Sequence, residues 1–283
     1  MAQPLSVLTT TSQLRRATAR WRAERERIAL VPTMGALHAG HVALISAACR
    51  RAQRVIVSIF VNPAQFAPDE DLATYPRTWD ADLLLLRELS VHAVWAPSVA
   101  AMYPTGFATH VVPAGAALVG LEDRFRPHFF SGVATVVLKL LVQCVPDFAM
   151  FGEKDYQQLR VVEQMTRDLD LPTRIIAVHT AREKDGLALS SRNLYLSARE
   201  REQAPVLYRM LTECAQKLLR DEKLKAVLRA GAAGLERAGF SLDYLEARHV
   251  HTLQRVGSLD EGPIRLLVAA RLRKTRLIDN VPV

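Results

Sequence analysis

Along the first 180 residues two apolar rhythms alternate. Short unbroken runs at 28–31, 55–61, 93–95, 148–151 and 174–178 read as buried strands. Between them, residues 14–27, 42–54, 80–89, 133–144 and 157–169 place apolar side chains at three-and-four spacing, the mark of amphipathic helices. The β-branched run Val55-Ile-Val-Ser-Ile-Phe-Val61 suits a central strand. Alternation of this kind predicts an α/β fold, a doubly wound parallel sheet with helices on both faces. Residues 181–283 differ: two helical stretches, 198–220 and 222–238, precede three strand-like runs at 242–247, 264–272 and 275–281. They predict a second, smaller α/β domain, so the expected division is 1–180 and 181–283.

In a doubly wound sheet ligands bind beyond the carboxyl ends of the strands, and the polar strings of this chain follow strands. Val31-Pro-Thr-Met-Gly-Ala-Leu-His-Ala-Gly-His41 joins the 28–31 strand to the next helix. Gly35 and Gly40 permit close backbone approach, and His38 and His41 stand at a helix start, where N–H groups and the dipole favour phosphate. The same turn also reads as a helix cap with two solvated histidines. In Asn62-Pro-Ala-Gln65, the amides of Asn62 and Gln65 could read hydroxyl and carboxylate oxygens, or belong to a plain proline turn. In Gly152-Glu-Lys-Asp155, Lys154 suits polyphosphate and Asp155 ribose hydroxyls; a helix start with acidic residues fits as well. Gln157 and Gln158 face different sides of that helix, so only one is expected to reach a site. Ser190, Ser191 and Arg192 offer two hydroxyls and a bidentate guanidinium for a leaving diphosphate. Ser197 and Glu200 form a separate capping box.

The 283 residues are 49% hydrophobic and 23% charged, an ordinary globular composition. The net charge of +8 suits an anionic ligand, nucleic acid or simply a basic surface. No compact basic block with interleaved aromatics occurs, so nucleic acid is not the expected partner. Cys49, Cys144 and Cys214 lie far apart without metal spacing and are expected as reduced, partly buried thiols of a cytoplasmic protein. Residues 1–11 show no leader pattern, and no run approaches the ~18 apolar residues of a membrane span. The sequence contains no GxxxxGK[ST], GxGxxG or GxSxG string. Nucleotidyl transfer by positioning and charge neutralisation, which needs no protein nucleophile, fits the remaining motifs.

Taken together, PTMGALHAGH, SIFVNPAQF, DLATYPRT, GVATVV, FGEKDYQQL, DGLALSSRN and VAARLRKTRLIDN resemble, in this order and spacing, the pantoate–β-alanine ligase family, over essentially the whole chain. That family belongs with nucleotidylyltransferase-like proteins sharing the HxGH motif. The resemblance implies a Rossmann-like doubly wound sheet with a smaller C-terminal α/β domain. It implies an acid–amine ligase (AMP-forming) that uses Mg²⁺ and ATP to condense (R)-pantoate with β-alanine through pantoyl adenylate, releasing diphosphate and AMP. Carried over residue by residue, Pro32, Thr33, Met34, Gly35, Ala36, Leu37, His38, Ala39, Gly40 and His41 bind ATP, with both imidazoles at the phosphates and His41 as proton donor. Gln65 contacts pantoate and then β-alanine, with Asn62 beside it, and Gln158 contacts pantoate. Gly152, Glu153, Lys154 and Asp155 form the ribose and phosphate loop. Ala181 offers a backbone contact to adenine, and Leu189, Ser190, Ser191 and Arg192 form a mobile phosphate loop. His41, His38, Lys154 and Arg192 are the expected catalytic set.

The family's metal ligands do not transfer; Asp80 and Asp82 are candidates by charge alone, and an exposed helix face explains them equally. A homodimer in the cytoplasm, with small-molecule partners and no membrane or nucleic acid, is the expectation. The second domain is expected to close over the site, with residues 181–186 as hinge. Three strings depart from the family: Arg126-Pro-His-Phe-Phe-Ser-Gly132 shifts a histidine to position 128, Val142-Gln-Cys-Val-Pro-Asp147 has valines at 142 and 145 where the family has amides, and Val178-His-Thr180 lacks a proline. Another HxGH adenylyltransferase and a nucleic-acid-binding protein are the alternatives; pantoate-dependent ATP–diphosphate exchange separates all three.

Overall fold

The computed structural model describes residues 5–67, 70 and 72–283. The first four residues of the stretch without a leader pattern, and Asp71 of DLATYPRT, lie outside the described residues. The chain forms two compact units: Met1–Glu153 with Gln158–His179, and Lys154–Gln157 with Thr180–Val283.

The first unit is built on six strands: β1 (Ser6–Leu8), β2 (Ile28–Thr33), β3 (Arg54–Ile59), β4 (Ala93–Trp95), β5 (Phe148–Gly152) and β6 (Arg174–Val178). Their order is β1-β4-β3-β2-β5-β6, all parallel. The helices are α1 (Thr11–Ala23), α2 (Ala39–Cys49), α3 (Trp79–Glu88), the single turns α4 (Val99–Met102) and α5 (Glu122–Phe125), then α6 (Phe129–Cys144) and α7 (Tyr156–Asp168). Successive strands run outward from β2 through β3 to β4, and the next crossover returns to β5 on the other side. The order therefore reverses between β2 and β5, the topological switch point at which such sheets bind ligands. Val31, Ile45, Ala48, Val55, Val57, Leu86 and Val94 form a buried apolar core on one face of this sheet.

Several boundaries differ from the apolar pattern. The edge strand β1 escapes it because three residues show no period; they pair with β4, Ser6 opposite Ala93. Helix α1 starts at Thr11, since Thr10 and Gln13 form a capping box, and it stops at Ala23, just before Arg25 turns left-handed at φ 59°. Helix α6 starts at Phe129, so Gly132 lies inside it.

In the second unit, α8 (Ala198–Gln203), α9 (Val206–Leu218) and α10 (Leu224–Arg237) precede the antiparallel sheet β7-β8-β9, comprising Phe240–His249, Ile264–Leu272 and Thr275–Pro282. The single helix expected at 198–220 is two helices, interrupted at Pro205, which lacks the N–H an uninterrupted helix would use. Leu207, Leu211 and Leu218 of α9 and Val227 and Leu235 of α10 close a core with Leu266 and Val268 of β8. The Ser197–Glu200 capping box is present, with Glu200 Oε2 2.8 Å from the Ser197 N–H. Lys154–Gln157 belong to this unit through specific bonds. Tyr156 Oη donates to the Val250 carbonyl at 3.0 Å, and Arg265 lies 4.0 Å over the Tyr156 ring. Asn280 Nδ2 donates to the Lys154 carbonyl at 3.0 Å.

Cys144 and Cys214 are buried, whereas Cys49 is exposed rather than partly buried. Burial pushes the Cys144 thiol up to about 12, so it is inert. No helix among the described residues is long and apolar enough to cross a membrane.

Candidate active site

The turn after β2 is held from below. Thr33 Oγ1 donates to the Ser58 carbonyl at 2.7 Å and accepts from the Gly35 N–H at 3.2 Å. Gly35 and Ala36 are both left-handed, at φ 84° and 51°. This left-handed pair turns the chain so that the N–H groups of Ala36 and Leu37 both face a buried carboxylate. Asp82 accepts from Ala36 N at 3.0 Å and Leu37 N at 2.9 Å, and from Thr78 Oγ1 at 3.0 Å. A Cβ at Gly35 would stand 3.1 Å from Asp82 Oδ2 and 3.2 Å from Ile59, in a conformation already strained for an L side chain. Asp82 is therefore neither on an exposed face nor disposed as a metal ligand: at 3% exposure it fastens the turn to α3. Asp80 is exposed. A faint signal for Asp82 existed in its i, i+4 relation to buried Leu86, which puts it on the inner face of α3.

His38 is the N-cap of α2, and its Nδ1 accepts from Gly40 N at 3.1 Å. His41, at N3, accepts through its own Nδ1 from the His38 N–H at 3.2 Å. The rings lie 4.2 Å apart, tilted by 48°. The two readings of this motif therefore merge. Both Nδ1 atoms cap the helix, which puts the proton of each neutral ring on Nε2, the atom able to donate to an anion. An Asp or Glu would cap as well but would add negative charge at the helix start.

The second strand-end loop is tied by amides. Asn62, 1% exposed, caps the turn Pro63–Gln65. Its Nδ2 donates to the Gly132 carbonyl at 3.1 Å and to Gln65 Oε1 at 3.2 Å. Its Oδ1 accepts from Ala64 N at 3.2 Å and Tyr103 Oη at 2.8 Å. All four hydrogen-bonding positions of the Asn62 amide are engaged within the protein, and one of them holds the Gln65 side chain. Gln65 Nε2 lies 3.0 Å from Met34 Sδ, which brings the turn after β2 and the loop after β3 together. Arg126 grips Glu70 through two bonds of 2.5 and 2.7 Å, donates to the Gln65 carbonyl at 3.0 Å and lies 3.7 Å over Phe129. Gly132 lets α6 press directly on this loop: a Cβ there would stand 2.1 Å from the Ala64 carbonyl oxygen. Tyr103 and Arg126 carry no periodic signal in the sequence, because their partners lie 41 and 56–61 residues away.

After β5, the Glu153 carboxylate, expected in the nucleotide loop, meets the His179 ring at 2.9 Å. Of the two glutamines, Gln157 is buried at 3% and Gln158 half-buried. Among the departures, His128 is exposed at the start of α6 without a side-chain cap, Val142 is exposed and Gln143 is buried.

In the second unit, Lys154 Nζ lies 3.6 Å from Asp155 Oδ1. Residues 181–189 form a pinned hairpin in which Ala181 O accepts from Leu189 N at 2.9 Å and Glu183 N donates to Leu187 O at 2.9 Å. Arg182 grips buried Asp279 at 2.7 and 2.8 Å and lies 3.7 Å over Tyr208. The segment 181–186, expected as a hinge, is thus held within the second unit by the Ala181–Leu189 and Glu183–Leu187 backbone bonds and by Arg182. Ser190 Oγ accepts from Arg192 N at 3.3 Å at the head of the turn Ser191–Tyr195, and Asn193 Nδ2 fastens that turn to the Ala188 carbonyl at 3.0 Å. Among the described residues no group of three His, Cys, Asp or Glu side chains is arranged to hold a metal.

Fold and turn together define a doubly wound α/β protein with an HxGH helix start at its switch point. The pantoate-beta-alanine ligase model matches residues 6–282, and the chain belongs to that family. It is 58% identical over 283 residues to pantothenate synthetase 2 of Bradyrhizobium diazoefficiens, covering all of both chains. It is 59% identical over 283 residues to the pantothenate synthetase of Rhodopseudomonas palustris (strain BisA53), again covering both fully. The crystal structure of pantothenate synthetase from Thermus thermophilus matches with a TM-score of 0.91 at 45% identity over 98% of each chain. Pantoate-beta-alanine ligase from Francisella tularensis, crystallised in complex with beta-gamma ATP and beta-alanine, matches with a TM-score of 0.78 at 34% identity, over 99% of this chain and 98% of that one.

Proposed function

We propose that the chain condenses (R)-pantoate with β-alanine, driven by cleavage of ATP to AMP and diphosphate. The observation that carries this reading is the family match across residues 6–282, with the histidine turn intact within it. The pantoate carboxylate attacks the α-phosphorus, diphosphate leaves, and the β-alanine amine then displaces AMP from the acyl carbon. Neither step requires a protein nucleophile; both require charge to be met where it develops. His38 and His41 supply Nε2 donors at the start of α2, where the helix dipole adds to them. Gly35 and Gly40 let the backbone of residues 32–41 approach the nucleotide. Lys154 and Arg192 neutralise the departing diphosphate with Ser190 and Ser191. Gly152 and Asp155 take the ribose side, the backbone at Ala181 takes the base side, and Leu189 belongs with Ser190–Arg192 to the phosphate loop. Gln65 and Gln158 hold pantoate by neutral donors, with Met34 as an apolar neighbour for its methyl groups. Magnesium would enter with ATP, on the nucleotide's own phosphate oxygens, and would add to the charge neutralisation that His38, His41, Lys154 and Arg192 supply. We further propose a cytoplasmic homodimer as the working form.

The test is exchange of labelled diphosphate into ATP. Exchange that requires pantoate is the expected result, followed by AMP release only when β-alanine is added. Exchange supported by a mononucleotide instead would establish the alternative adenylyltransferase and overturn this reading.

A further inference from the structure

The loop after β3 contains a hydrogen-bond chain whose direction can be deduced from groups that cannot change role. The Ala64 N–H can only donate, and it meets Asn62 Oδ1 at 3.2 Å. The Gly132 carbonyl can only accept, and it meets Asn62 Nδ2 at 3.1 Å. The two ends of the Asn62 amide are therefore assigned by chemistry. The second N–H of Nδ2 must go to an acceptor, which is Gln65 Oε1 at 3.2 Å. That fixes the Gln65 amide in turn: its oxygen faces Asn62 and its NH₂ is the working end. The only partner of Nε2 among the described residues is Met34 Sδ, at 3.0 Å, and a thioether is an acceptor weak enough for any substrate oxygen to displace. At the far end, Tyr103 Oη donates to Asn62 Oδ1 at 2.8 Å, the shortest bond of the chain. Burial pushes the Tyr103 phenol up to about 12, so it remains a donor throughout the working pH range.

We propose that Tyr103 is a positioning residue for the acid substrate: through Asn62 it locks Gln65 with its NH₂ presented, so that the site selects an oxygen-bearing acid. Gln65 so held presents its Nε2 as a donor to a carboxylate or hydroxyl oxygen. The inference rests on the proposed pantoate-activating function.

Tyr103→Phe tests it, because the ring and its packing against Phe60 and Phe107 remain and only the hydroxyl is lost. One hydrogen bond removed at a distance from substrate is expected to raise KM for pantoate about three- to tenfold, with KM for ATP unchanged. Discrimination against a pantoate analogue lacking the 2-hydroxyl should narrow in parallel, a change that a general loss of stability would not produce. Equal changes for ATP and pantoate, or no change, would overturn the proposal. Gln65→Glu is the second variant, with Tyr103 and Asn62 untouched. It replaces the presented NH₂ by an oxygen, and pantoate use should collapse while ATP binding persists; retained pantoate use overturns the proposal even if the Tyr103 variant fails to fold. The exchange assay on the unmodified chain separates the two levels. Without pantoate-dependent exchange the functional reading fails; with it, and without a selective shift in these variants, only the positioning role fails.

Discussion

His41 has two tasks on one ring. Its Nδ1 receives the His38 N–H at 3.2 Å, and its Nε2 is the proposed donor to the phosphate charge that grows in the transition state. Substitution can separate them. Glutamine at the third helical position is itself a capping-box residue, so His41→Gln keeps an acceptor for the His38 N–H while losing the imidazole donor. Single-turnover formation of the acyl adenylate should fall on the order of 10²–10³-fold, the usual effect of removing one preorganised donor, with thermal stability retained. His41→Ala should show the same loss of rate and a further destabilisation of about 1 kcal/mol from the lost cap. A His41→Gln variant with full single-turnover rate would remove His41 from the chemistry and leave it a capping residue. The residue scale is also where sequence reading was least complete. The imidazoles, Lys154 and the Ser190–Arg192 string announce themselves by type and spacing. Asp82 does not, because a carboxylate that receives three donors from its own chain looks, in sequence, like any acidic residue in the first turn of a helix.

At the scale of elements, the strands β2, β3 and β5 were legible because they are unbroken apolar runs, and the loops of interest follow their carboxyl ends. The start of α6 was not, since Gly132 reads locally as a helix breaker. Its reason for being there is tertiary: only hydrogen fits between α6 and the Ala64 carbonyl. That contact makes a prediction. Gly132→Ala forces a Cβ to within 2.1 Å of the Ala64 oxygen unless α6 or the Asn62–Gln65 loop shifts. Overpacking of this kind typically costs about 1–3 kcal/mol, roughly 2–10 °C in Tm for a protein of this size. Because the atom struck belongs to the loop that holds Gln65, KM for pantoate should rise as well, and by more than KM for ATP. A melting curve and two steady-state titrations check this; unchanged Tm with unchanged pantoate KM would mean the packing is looser than the distance implies.

For the molecule as a whole, the alternation of apolar rhythms shows the parallel sheet and the smaller C-terminal unit, but it is blind to long-range hydrogen bonds. Residues 154–157 look in sequence like part of the first unit. They group with the second through partners far along the chain, the Tyr156–Val250 bond spanning 94 residues. Composition supplies a property that neither rhythm nor contact shows. With 37 basic and 29 acidic residues the chain carries a net charge of +8, while ATP, pantoate and the adenylate are all anions. A field of that sign raises the encounter rate of anionic substrates and is screened by salt, whose Debye length falls from about 30 Å at 0.01 M to about 8 Å at 0.15 M. Over that interval kcat/KM for ATP and for pantoate should therefore fall several-fold, through KM, while kcat stays level because groups in contact with bound substrate are screened far less. β-Alanine, a zwitterion without net charge, should show little dependence and serves as the internal control. If all three substrates respond alike, salt is acting on the fold or on catalysis, and the surplus positive charge has no part in capturing the substrates.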